Sequence, residues 1–373
     1  MNEIEKRSLL EVLKNYDFCG KVIEVIPVEN GNINHTFTVI CDDGEKYLVQ
    51  KINTNAFKEP FILMKNIENI TNHIERFYKR IKDQEHQCLK VIRTTNGEPL
   101  TITQNELGEK SYYRVYNYIE NSVSYNKTND SNIIFNVGKA FGYFQRALTD
   151  YPIDDLDESI PNFHNTPKRF ENFIKDIKID PLGRAEKVAK EILFFIKREE
   201  AMSSIVKLID SGKVPKRVTH NDTKVNNVMM NKITGDFMTV IDLDTVMPGS
   251  CLYDYGDAVR SACATAEENE TDLSKIYLDE ELFTAFTKGY LIETSKCLNL
   301  YEINNLGNSI RIITLELAMR FLNDYINGDT YFKTKYQDHN LDRARNQMKL
   351  VTEIETNMPN IEETIVRLIK EYK

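Results

Sequence analysis

The sequence lacks the cysteine patterns of a disulfide framework or a zinc site. Its six cysteines include no C-x-x-C pair, and no histidine stands at zinc-ligand spacing from any of them. We therefore interpret the cysteines as free, mostly packed thiols, which indicates a reducing compartment.

Long apolar runs are also missing. No stretch approaches the roughly 18 consecutive apolar residues of a membrane span. The first residues mix acids and bases and contain no apolar segment of the kind found in signal peptides. No internal repeat or low-complexity segment is visible. These absences predict a soluble, cytoplasmic protein that has no membrane partner.

The chain has no excess of basic residues. It has 48 Lys and Arg against 57 Asp and Glu, which gives a net charge of −9 over 373 residues. Such an acidic surface argues against general nucleic-acid binding and against docking on anionic lipid. It does not exclude phosphate ligands, because backbone N–H groups and a metal ion can bind phosphate locally.

Apolar periodicity divides the chain into a strand-rich first third and a helical remainder. Alternating and β-branched segments predict strands at 21–27, 35–41, 46–52, 89–93, 100–103 and 111–119, with one helix over 63–77. Helices are predicted over 134–148, 186–210, 280–298, 308–327 and 361–371, with a small β insert between 217 and 243. Segregation of this kind predicts an α+β fold of two lobes, over residues 1–119 and 120–373.

The most informative segment is VTHNDTKVNNVMMNKITGDFMTVIDLD, residues 218–244. His220, Asp222 and Asn227 stand at the spacing H-x-D-x-x-x-x-N, which is that of a kinase catalytic loop. An apolar strand and the pair Asp242-x-Asp244 follow in kinase order. A bare H-x-D is weak evidence, and alternating acids are often a solvated face, but the combination is more specific than its parts.

Phosphoryl transfer explains these residue types. It needs a positioned acceptor hydroxyl and Mg²⁺ to neutralise charge on the phosphates. Asp222 can orient the hydroxyl and accept its proton, and the oxygens of Asn227 and Asp242 can ligate Mg²⁺. We expect His220 to brace the loop.

Other nucleotide motifs are weak or absent. The chain has no Walker A sequence, which excludes a P-loop fold. The segment 29–34 precedes a strand, where a phosphate-covering loop would lie, but it contains a single glycine, Gly31. By itself this segment is more typical of a surface turn.

Five segments extend the resemblance to nearly the whole chain: RVYNYIENSVSYN at 114–126, FHNTPKRFENF at 163–173, RVTHNDTKVNN at 217–227, VIDLDTVMPGSCLYDYGDAVR at 240–260 and MRFLNDYINGDTYFKTKYQDHNL at 319–341. With them the chain resembles the aminoglycoside phosphotransferase and choline kinase superfamily of small-molecule kinases. Within it, the sequence resembles the sugar 1-kinases that use ATP to phosphorylate the anomeric hydroxyl of N-acetylglucosamine and N-acetylgalactosamine.

The resemblance implies a protein-kinase-like fold, with an N-terminal antiparallel sheet and one helix in the nucleotide-binding lobe and a larger helical lobe for catalysis and substrate. It implies ATP and Mg²⁺ as cofactors, a small sugar as substrate, and a monomer or homodimer. The implied catalytic base is Asp222, and the implied metal ligands are Asn227, Asp242 and Asp244. The implied nucleotide contacts are Gly31, Gln50 and the hinge 115–118 with Tyr116 and Tyr118; the implied sugar contacts are Asn32, Asp222, Arg320 and Tyr331.

Two positions depart from the sugar 1-kinases and one from kinases in general. Asn32 stands where the sugar kinases have His, and Ser261 where they have Phe. Kinases normally place a Lys on the strand at 46–52 to reach the phosphates, but the aligned inward position here is Gln50. Lys51 points to the opposite face, because neighbouring residues of a strand alternate.

The presence of Arg320 and Tyr331, two of the implied sugar contacts, also has simpler explanations. Arg320 late in a helix is favoured by the helix dipole, and Tyr331 is one of 19 tyrosines. Gly328 is expected to end the helix of Arg320, which would let the chain turn and bring Tyr331 back towards it. His35, His164 and His339 are expected to be structural or surface residues without convergent partners.

Two other functions stay open. One is a kinase for a different small alcohol, such as an aminoglycoside, choline, homoserine or another hexose. A choline site would need an aromatic cage, and an aminoglycoside site a strongly acidic rim. The other is an inactive nucleotide-binding module, which Gln50 and the single-glycine loop favour and the intact Asp222, Asn227 and Asp242 oppose.

Overall fold

The computed structural model describes the backbone of residues 3–28 and 33–372 and the side chains of residues 8–28 and 33–372. Gly31 and Asn32, two of the predicted ligand contacts, therefore lie outside the described residues. The chain divides into two compact units, Met1–Ser122 with Asp154–Ile160, and Val123–Ile153 with Pro161–Lys373. The roles assigned to the two predicted lobes stay predictions.

The first unit is built on an antiparallel sheet, as the sequence predicts. Its strands run in the order β1-β2-β3-β6-β4, and β5 also pairs with β6. The elements are α1 (Glu3–Leu13), β1 (Val22–Val28), β2 (His35–Cys41), β3 (Lys46–Lys51), α2 (Pro60–Ile81), β4 (Val91–Ile92), β5 (Thr101–Gln104) and β6 (Lys110–Asn117).

Alternating burial along the strands shows which face of this sheet packs into the hydrophobic core. Val39, Val49 and Val115 are fully buried on one face, where they pack with Leu9 and Val12 of α1. Residues one position along each strand lie on the opposite face. That second face includes Gln50, as its sequence position predicts.

The second unit is mainly helical. A two-residue strand, β7 (Ser122–Val123), lies at the division between the units. The remaining elements are α3 (Ser131–Ala147), α4 (Thr166–Ile179), α5 (Ala189–Ile196), α6 (Glu199–Met202), α7 (Ser204–Asp210), β8 (Arg217–Thr219), β9 (Val228–Asn231), β10 (Phe237–Val240), β11 (Met247–Gly249), α8 (Cys251–Cys263), α9 (Glu280–Thr294), α10 (Leu300–Asn304), α11 (Leu306–Ile326) and α12 (His339–Tyr372).

Glycines let α3 and α9 approach each other closely. A Cβ atom added at Gly138 of α3 would collide with the carbonyl of Phe286, and one at Gly289 of α9 with the carbonyl of Phe135. Main-chain atoms cannot move aside as a flexible side chain can. Glycine is therefore required by packing at both positions.

Two predicted helices differ from the structure. The stretch 186–210 is broken into a 3₁₀ turn and the short helices α5, α6 and α7, and the helix predicted over 361–371 is the end of the 34-residue α12. Pro359 lies inside α12, and an interior proline usually ends a helix. Leu350, Val351 and Ile354 before it and Ile361 after it are nonetheless buried, so packing outweighs the local signal.

The described helices include none that is both long enough and apolar enough to cross a membrane.

Candidate active site

The predicted catalytic loop and the Asp242-x-Asp244 segment lie side by side in the second unit. The loop follows β8, the antiparallel pair β9–β10 comes next, and β11 then returns to pair with β8. Ile241 N donates to the Asn227 carbonyl at 2.9 Å, and Thr245 Oγ1 donates to the His220 carbonyl at 2.6 Å. Strand pairing and these bonds bring together residues that are 14 and 25 positions apart in sequence.

His220 braces this arrangement, as predicted. Its side chain is fully buried, and Nε2 lies 2.9 Å from the Ile241 carbonyl. Because a carbonyl can only accept, Nε2 has the proton, and Nδ1 accepts from Asp222 N at 3.3 Å. His220 thus connects the loop to the segment that contains Ile241.

Asp254 of α8 is a positioning residue to which the sequence analysis gave no role. Its carboxylate accepts from the backbone N–H groups of His220 and Asn221, each at 2.8 Å, and from Gln145 Nε2 at 3.1 Å. Burial raises the pKa of Asp254, and the nearby His220 and the backbone N–H groups of His220 and Asn221 only partly oppose that shift. One feature of the sequence could have indicated this role. Asp254 is the only carboxylate in SCLYDYG, residues 250–256, at the otherwise mostly apolar start of a helix.

Two residues of the site have left-handed backbone. Asn221 has φ of 63° and Asp242 has φ of 60°, a region that residues other than glycine rarely adopt. The Asn221 side chain donates to the Thr245 carbonyl at 2.8 Å, which helps to hold that conformation. Strained backbone that is held in this way is concentrated at functional sites.

The Asp222 carboxylate is held by two donors from its own loop. Lys224 Nζ lies 2.6 Å from Oδ1, and Asn227 Nδ2 donates to Oδ2 at 3.2 Å and to the Asp222 carbonyl at 2.8 Å. Because the Asn227 amino group faces Asp222, its amide oxygen points the other way. This orientation suits a metal ligand.

The other predicted metal ligands follow β10. Asp242 is exposed and Asp244 is buried. Carboxylate and amide oxygens are the donors that Mg²⁺ prefers, so the chemistry of the set fits that ion. Within the part of the chain that the structure describes, no three His, Cys, Asp or Glu side chains form a metal-binding group, and the predicted set depends on the amide of Asn227.

Lys224 is a residue that the sequence analysis missed. Burial lowers the pKa of its ammonium group, but the carboxylates of Asp222, Asp257 and Glu268 outweigh burial and raise the pKa above its usual value. Lys224 is therefore a charged ammonium in contact with the predicted base. Its place two residues after Asp222 in the loop motif was the signal.

Arg320 and Tyr331 lie together, as predicted. Helix α11 ends at Ile326, Gly328 follows with φ of 98°, and Arg320 Nη2 donates to the Tyr331 hydroxyl at 3.3 Å. The guanidinium also lies 5.6 Å from the centre of the Tyr331 ring. Tyr331 is 70% exposed, so the pair is accessible from solvent.

Asp324 fixes the segment 329–332 that contains Tyr331. Its Oδ1 accepts from the N–H groups of Thr330 and Tyr331, each at 2.9 Å, and its Oδ2 accepts from Phe332 N at 2.8 Å and Asn340 Nδ2 at 2.9 Å. No local pattern indicates this role, because the four donors are six to sixteen residues away from Asp324.

His164 has convergent partners, which corrects the expectation made from sequence. Its Nδ1 lies 3.0 Å from Glu316 Oε1 on α11, and Thr166 Oγ1 and Arg169 Nε lie 2.6 and 3.3 Å from the same carboxylate. Burial alone would raise the pKa of Glu316, but these groups lower it to about 2. The expectation failed because the partners are about 150 residues apart in sequence.

This cluster connects the helix of Arg320 to the predicted catalytic loop. The His164 ring stacks on Tyr253 with centroids 4.9 Å apart, and Tyr253 precedes Asp254. Glu316 is one helical turn before Arg320. Ser261 Oγ, at one of the two departures from the sugar kinases, lies 3.4 Å from the Thr223 carbonyl beside Asp222.

The nucleotide-side predictions belong to the first unit. Gln50 accepts two hydrogen bonds from Arg114 of β6. Tyr116 is 3% exposed and lies within the sheet, paired with both β3 and β4. Strand β6 ends at Asn117. Residues 115–117 of the predicted hinge therefore lie within the strand, and Tyr118 follows it.

Comparison with known proteins establishes the family. A sequence profile described as the phosphotransferase enzyme family, APH, matches residues 24–283. The chain belongs to this family. It is therefore a small-molecule phosphotransferase that acts on an alcohol group.

Solved structures share the fold over nearly the whole chain. Amicoumacin kinase hAmiN, in complex with AMP-PNP, Ca²⁺ and Ami, is 15% identical, with a TM-score of 0.60 over 95% of this chain and 93% of that one. A microcompartment-associated aminopropanol kinase is 11% identical, with a TM-score of 0.62 over 96% and 98%. Choline kinase LicA from Streptococcus pneumoniae is 14% identical, with a TM-score of 0.51 over 95% and 100%. These matches confirm the predicted fold.

Proposed function

We propose that this phosphotransferase is an ATP-dependent sugar 1-kinase. It transfers the γ-phosphoryl group of MgATP to the anomeric hydroxyl of an N-acetylhexosamine, with Asp222 as the base. The observation on which this rests is the held carboxylate of Asp222, beside the Asp242-x-Asp244 segment and in a unit that also holds the Arg320–Tyr331 pair.

The donor set supports MgATP. The amide oxygen of Asn227 and the carboxylates of Asp242 and Asp244 are hard oxygen ligands. Mg²⁺ bound there would neutralise charge on the transferring phosphoryl group. A solved structure with the same fold contains AMP-PNP and Ca²⁺. These are an adenine nucleotide and a divalent cation, as ATP and Mg²⁺ are.

Charge near Arg320 supports a neutral acceptor. Burial lowers the pKa of Arg169, and the positive charge of the nearby Arg320 lowers it further. Glu316 is fully buried and its oxygens are engaged by His164, Thr166 and Arg169. A cationic acceptor such as choline or an aminoglycoside would therefore face guanidinium groups. A sugar hydroxyl or acetamido carbonyl can instead accept from Arg320.

An acceptor panel tests the proposal. The protein is incubated with MgATP and N-acetylglucosamine, N-acetylgalactosamine, glucose, galactose, choline or an aminoglycoside, and NMR locates the phosphate on each product. We expect phosphate on the anomeric oxygen of the N-acetylhexosamines and little turnover of the cations.

Asp222→Asn is the matched control. It should keep the fold and MgATP binding and lose at least about 10²-fold in turnover, the usual contribution of a general base. Preferred phosphorylation of choline or of a sugar 6-hydroxyl would contradict the proposed substrate. Turnover in the variant equal to that of the wild type would contradict the assigned base.

A further inference from the structure

One carboxylate of the second unit is held by two arginines and still faces solvent. Glu268 lies in the connection between α8 and α9. Its Oε1 accepts from Arg260 Nη1 at 2.9 Å, and its Oε2 accepts from Arg343 Nη2 at 3.0 Å. The Glu268 side chain is 35% exposed, whereas that of Glu316 is 1% exposed. Glu268 is therefore a fixed carboxylate that a ligand can reach.

The backbone on both sides of Glu268 is anchored to α12. The side chain of Asn346, which is itself buried, donates from Nδ2 to the carbonyls of Glu267 at 2.9 Å and Glu270 at 3.0 Å. A group that is already held in place loses little freedom when it binds a ligand. The connection therefore presents the Glu268 carboxylate in one preorganised position.

The oxygens of Glu268 can accept further hydrogen bonds. Burial raises the pKa of Glu268, but the guanidinium groups of Arg260 and Arg343 outweigh burial and lower it to about 2, so the group is a carboxylate at neutral pH. A carboxylate has about four acceptor positions. In the part of the chain that the structure describes, the two arginines use one position on each oxygen. One position on each oxygen is left for a hydroxyl donor.

The charges around Glu268 balance one another. The cluster has three carboxylates and three cations: Asp222, Asp257 and Glu268, and Lys224, Arg260 and Arg343. Lys224 connects Glu268 to the predicted base, because its ammonium group lies 2.6 Å from Asp222 and the negative charge of Glu268 also acts on it. A balanced cluster of this kind suits a neutral acceptor with hydroxyl groups.

On its other side Glu268 is connected to the Arg320–Tyr331 pair. The guanidinium group of Arg343 lies 5.3 Å from the centre of the Phe332 ring. The guanidinium group of Arg320 lies 5.4 Å from the centre of the same ring. Glu268 therefore belongs to a continuous series of contacts that leads from the predicted base to the predicted sugar contacts, all within the second unit.

We propose that Glu268 is a specificity-determining residue of the acceptor site, with Arg260 and Arg343 as the positioning residues that hold it. Its carboxylate accepts a hydrogen bond from a sugar hydroxyl distant from the anomeric carbon, while the anomeric hydroxyl lies at Asp222. This inference rests on the proposed function and adds an acceptor of hydrogen bonds to the donor Arg320. Choline has only the hydroxyl that would receive phosphate, so it has none to donate to Glu268.

Deoxy sugars test the role of Glu268, with N-acetylglucosamine and its 3-deoxy, 4-deoxy and 6-deoxy analogues as acceptors. Glu268→Gln should lower kcat/KM for N-acetylglucosamine by about 10- to 100-fold, mainly through the KM of the sugar. The loss should be less than about threefold with the one analogue that lacks the contacted hydroxyl. The KM for MgATP should not change.

Glu270→Gln is the matched control. It changes another acid of the same connection, which pairs with Lys275 at 3.6 Å, and it should leave all of these constants unchanged. Glu268→Asp serves if Glu268→Gln does not fold, because it keeps the charge between the two arginines and withdraws the carboxylate by one methylene group. It should show the same selective loss, of about tenfold.

The outcomes separate the two proposals. An equal loss with all four sugars would mean that Glu268 only holds the arginines, and no loss with any of them would place it outside the site. Either result overturns its role and leaves the proposed function in place. Wild-type protein that phosphorylates glucose or galactose but no N-acetylhexosamine would overturn the proposed function alone, and the deoxy forms of that sugar then test Glu268. Turnover of choline or an aminoglycoside only would overturn both proposals.

Discussion

Three neighbouring side chains hold Asp222 and its loop in place. Lys224 and Asn227 hold its two carboxylate oxygens, and Asp254 holds the backbone of the two residues before it. Positioning of this kind matters because a base misplaced by about 1 Å can cost roughly 10²-fold in rate. At the scale of single residues, the site is therefore a set of held groups around one carboxylate.

Lys224→Met tests this interpretation. Loss of the ammonium group leaves the Asp222 carboxylate held on one side only, so we expect kcat to fall by about 10- to 100-fold. The KM for MgATP should change much less, and Lys232→Met, in the exposed turn between β9 and β10, should have no effect. Initial rates at varied MgATP and N-acetylglucosamine measure both constants. An unchanged kcat would show that the Lys224–Asp222 ion pair is only a surface contact.

The Tyr331 segment shows how a loop becomes an ordered part of a site. Asp324, on the last turn of α11, accepts from three consecutive backbone N–H groups and from Asn340 of α12. Arg184 adds bonds to the Tyr325 carbonyl at 2.6 Å and to Asp329 at 2.7 Å. At the scale of elements, two helices and one buried carboxylate determine where Tyr331 lies relative to Arg320.

Asp324→Asn should raise the KM for the sugar by about tenfold. The amide has one acceptor oxygen, and its amino group would face donors, so about two of the four hydrogen bonds are lost. The KM for MgATP should stay unchanged, as should both constants in Asp338→Asn, an exposed acid of the same connection. A rise in both KM values together with a lower melting temperature would mean that Asp324 is only a folding residue.

Predictability also differed among elements. The hairpin β2–β3 and the stripe of α2 followed from local pattern, because turn residues and apolar spacing act within a few positions. Helix α12 did not, because Pro359 is a local stop signal that packing against the rest of the unit overrides. The breaks in the stretch 186–210 were also not predicted, and Arg198 at one of them pairs with the distant Glu355 at 2.6 Å.

At the scale of the whole molecule, Glu316 joins segments that are far apart in the chain. Its carboxylate on α11 binds His164, Thr166 and Arg169 from the segment around the start of α4. A fully buried charge is stabilising only when it is paired and hydrogen-bonded. The pKa of about 2, against a usual value of 4.5, means that the folded state favours the charged form.

Stability should therefore depend on pH through Glu316. Because the folded-state pKa is depressed, the contribution of Glu316 is complete above about pH 4.5 and is lost as the pH falls towards 2. The difference in free energy of unfolding between wild type and Glu316→Gln should be about 3 kcal/mol at pH 7 and shrink by pH 3. Urea denaturation at both pH values measures it. A difference that is the same at both would mean that Glu316 contributes through shape alone.

The sequence by itself determined the family and the fold class, and it predicted the catalytic loop. These depend on residue spacing within short segments, where chemistry requires particular side chains at particular intervals. The proximity of Arg320 and Tyr331 could also be predicted from sequence. Gly328 indicates where the helix ends, and a turn there brings Tyr331 back towards Arg320. The role of Asp222 and its metal partners stays a prediction, although the structure places their segments side by side.

Only the tertiary structure decided what surrounds those residues. The structure places Asp254 against the predicted loop, Glu316 against His164, and Arg114 against Gln50. Each of these hydrogen bonds joins separate strands, helices or loops, and the residues are 34 to 152 positions apart. No local pattern encodes such a contact, because it arises when separate elements bury their apolar faces together. A buried charge then persists only where that packing also brings it a partner.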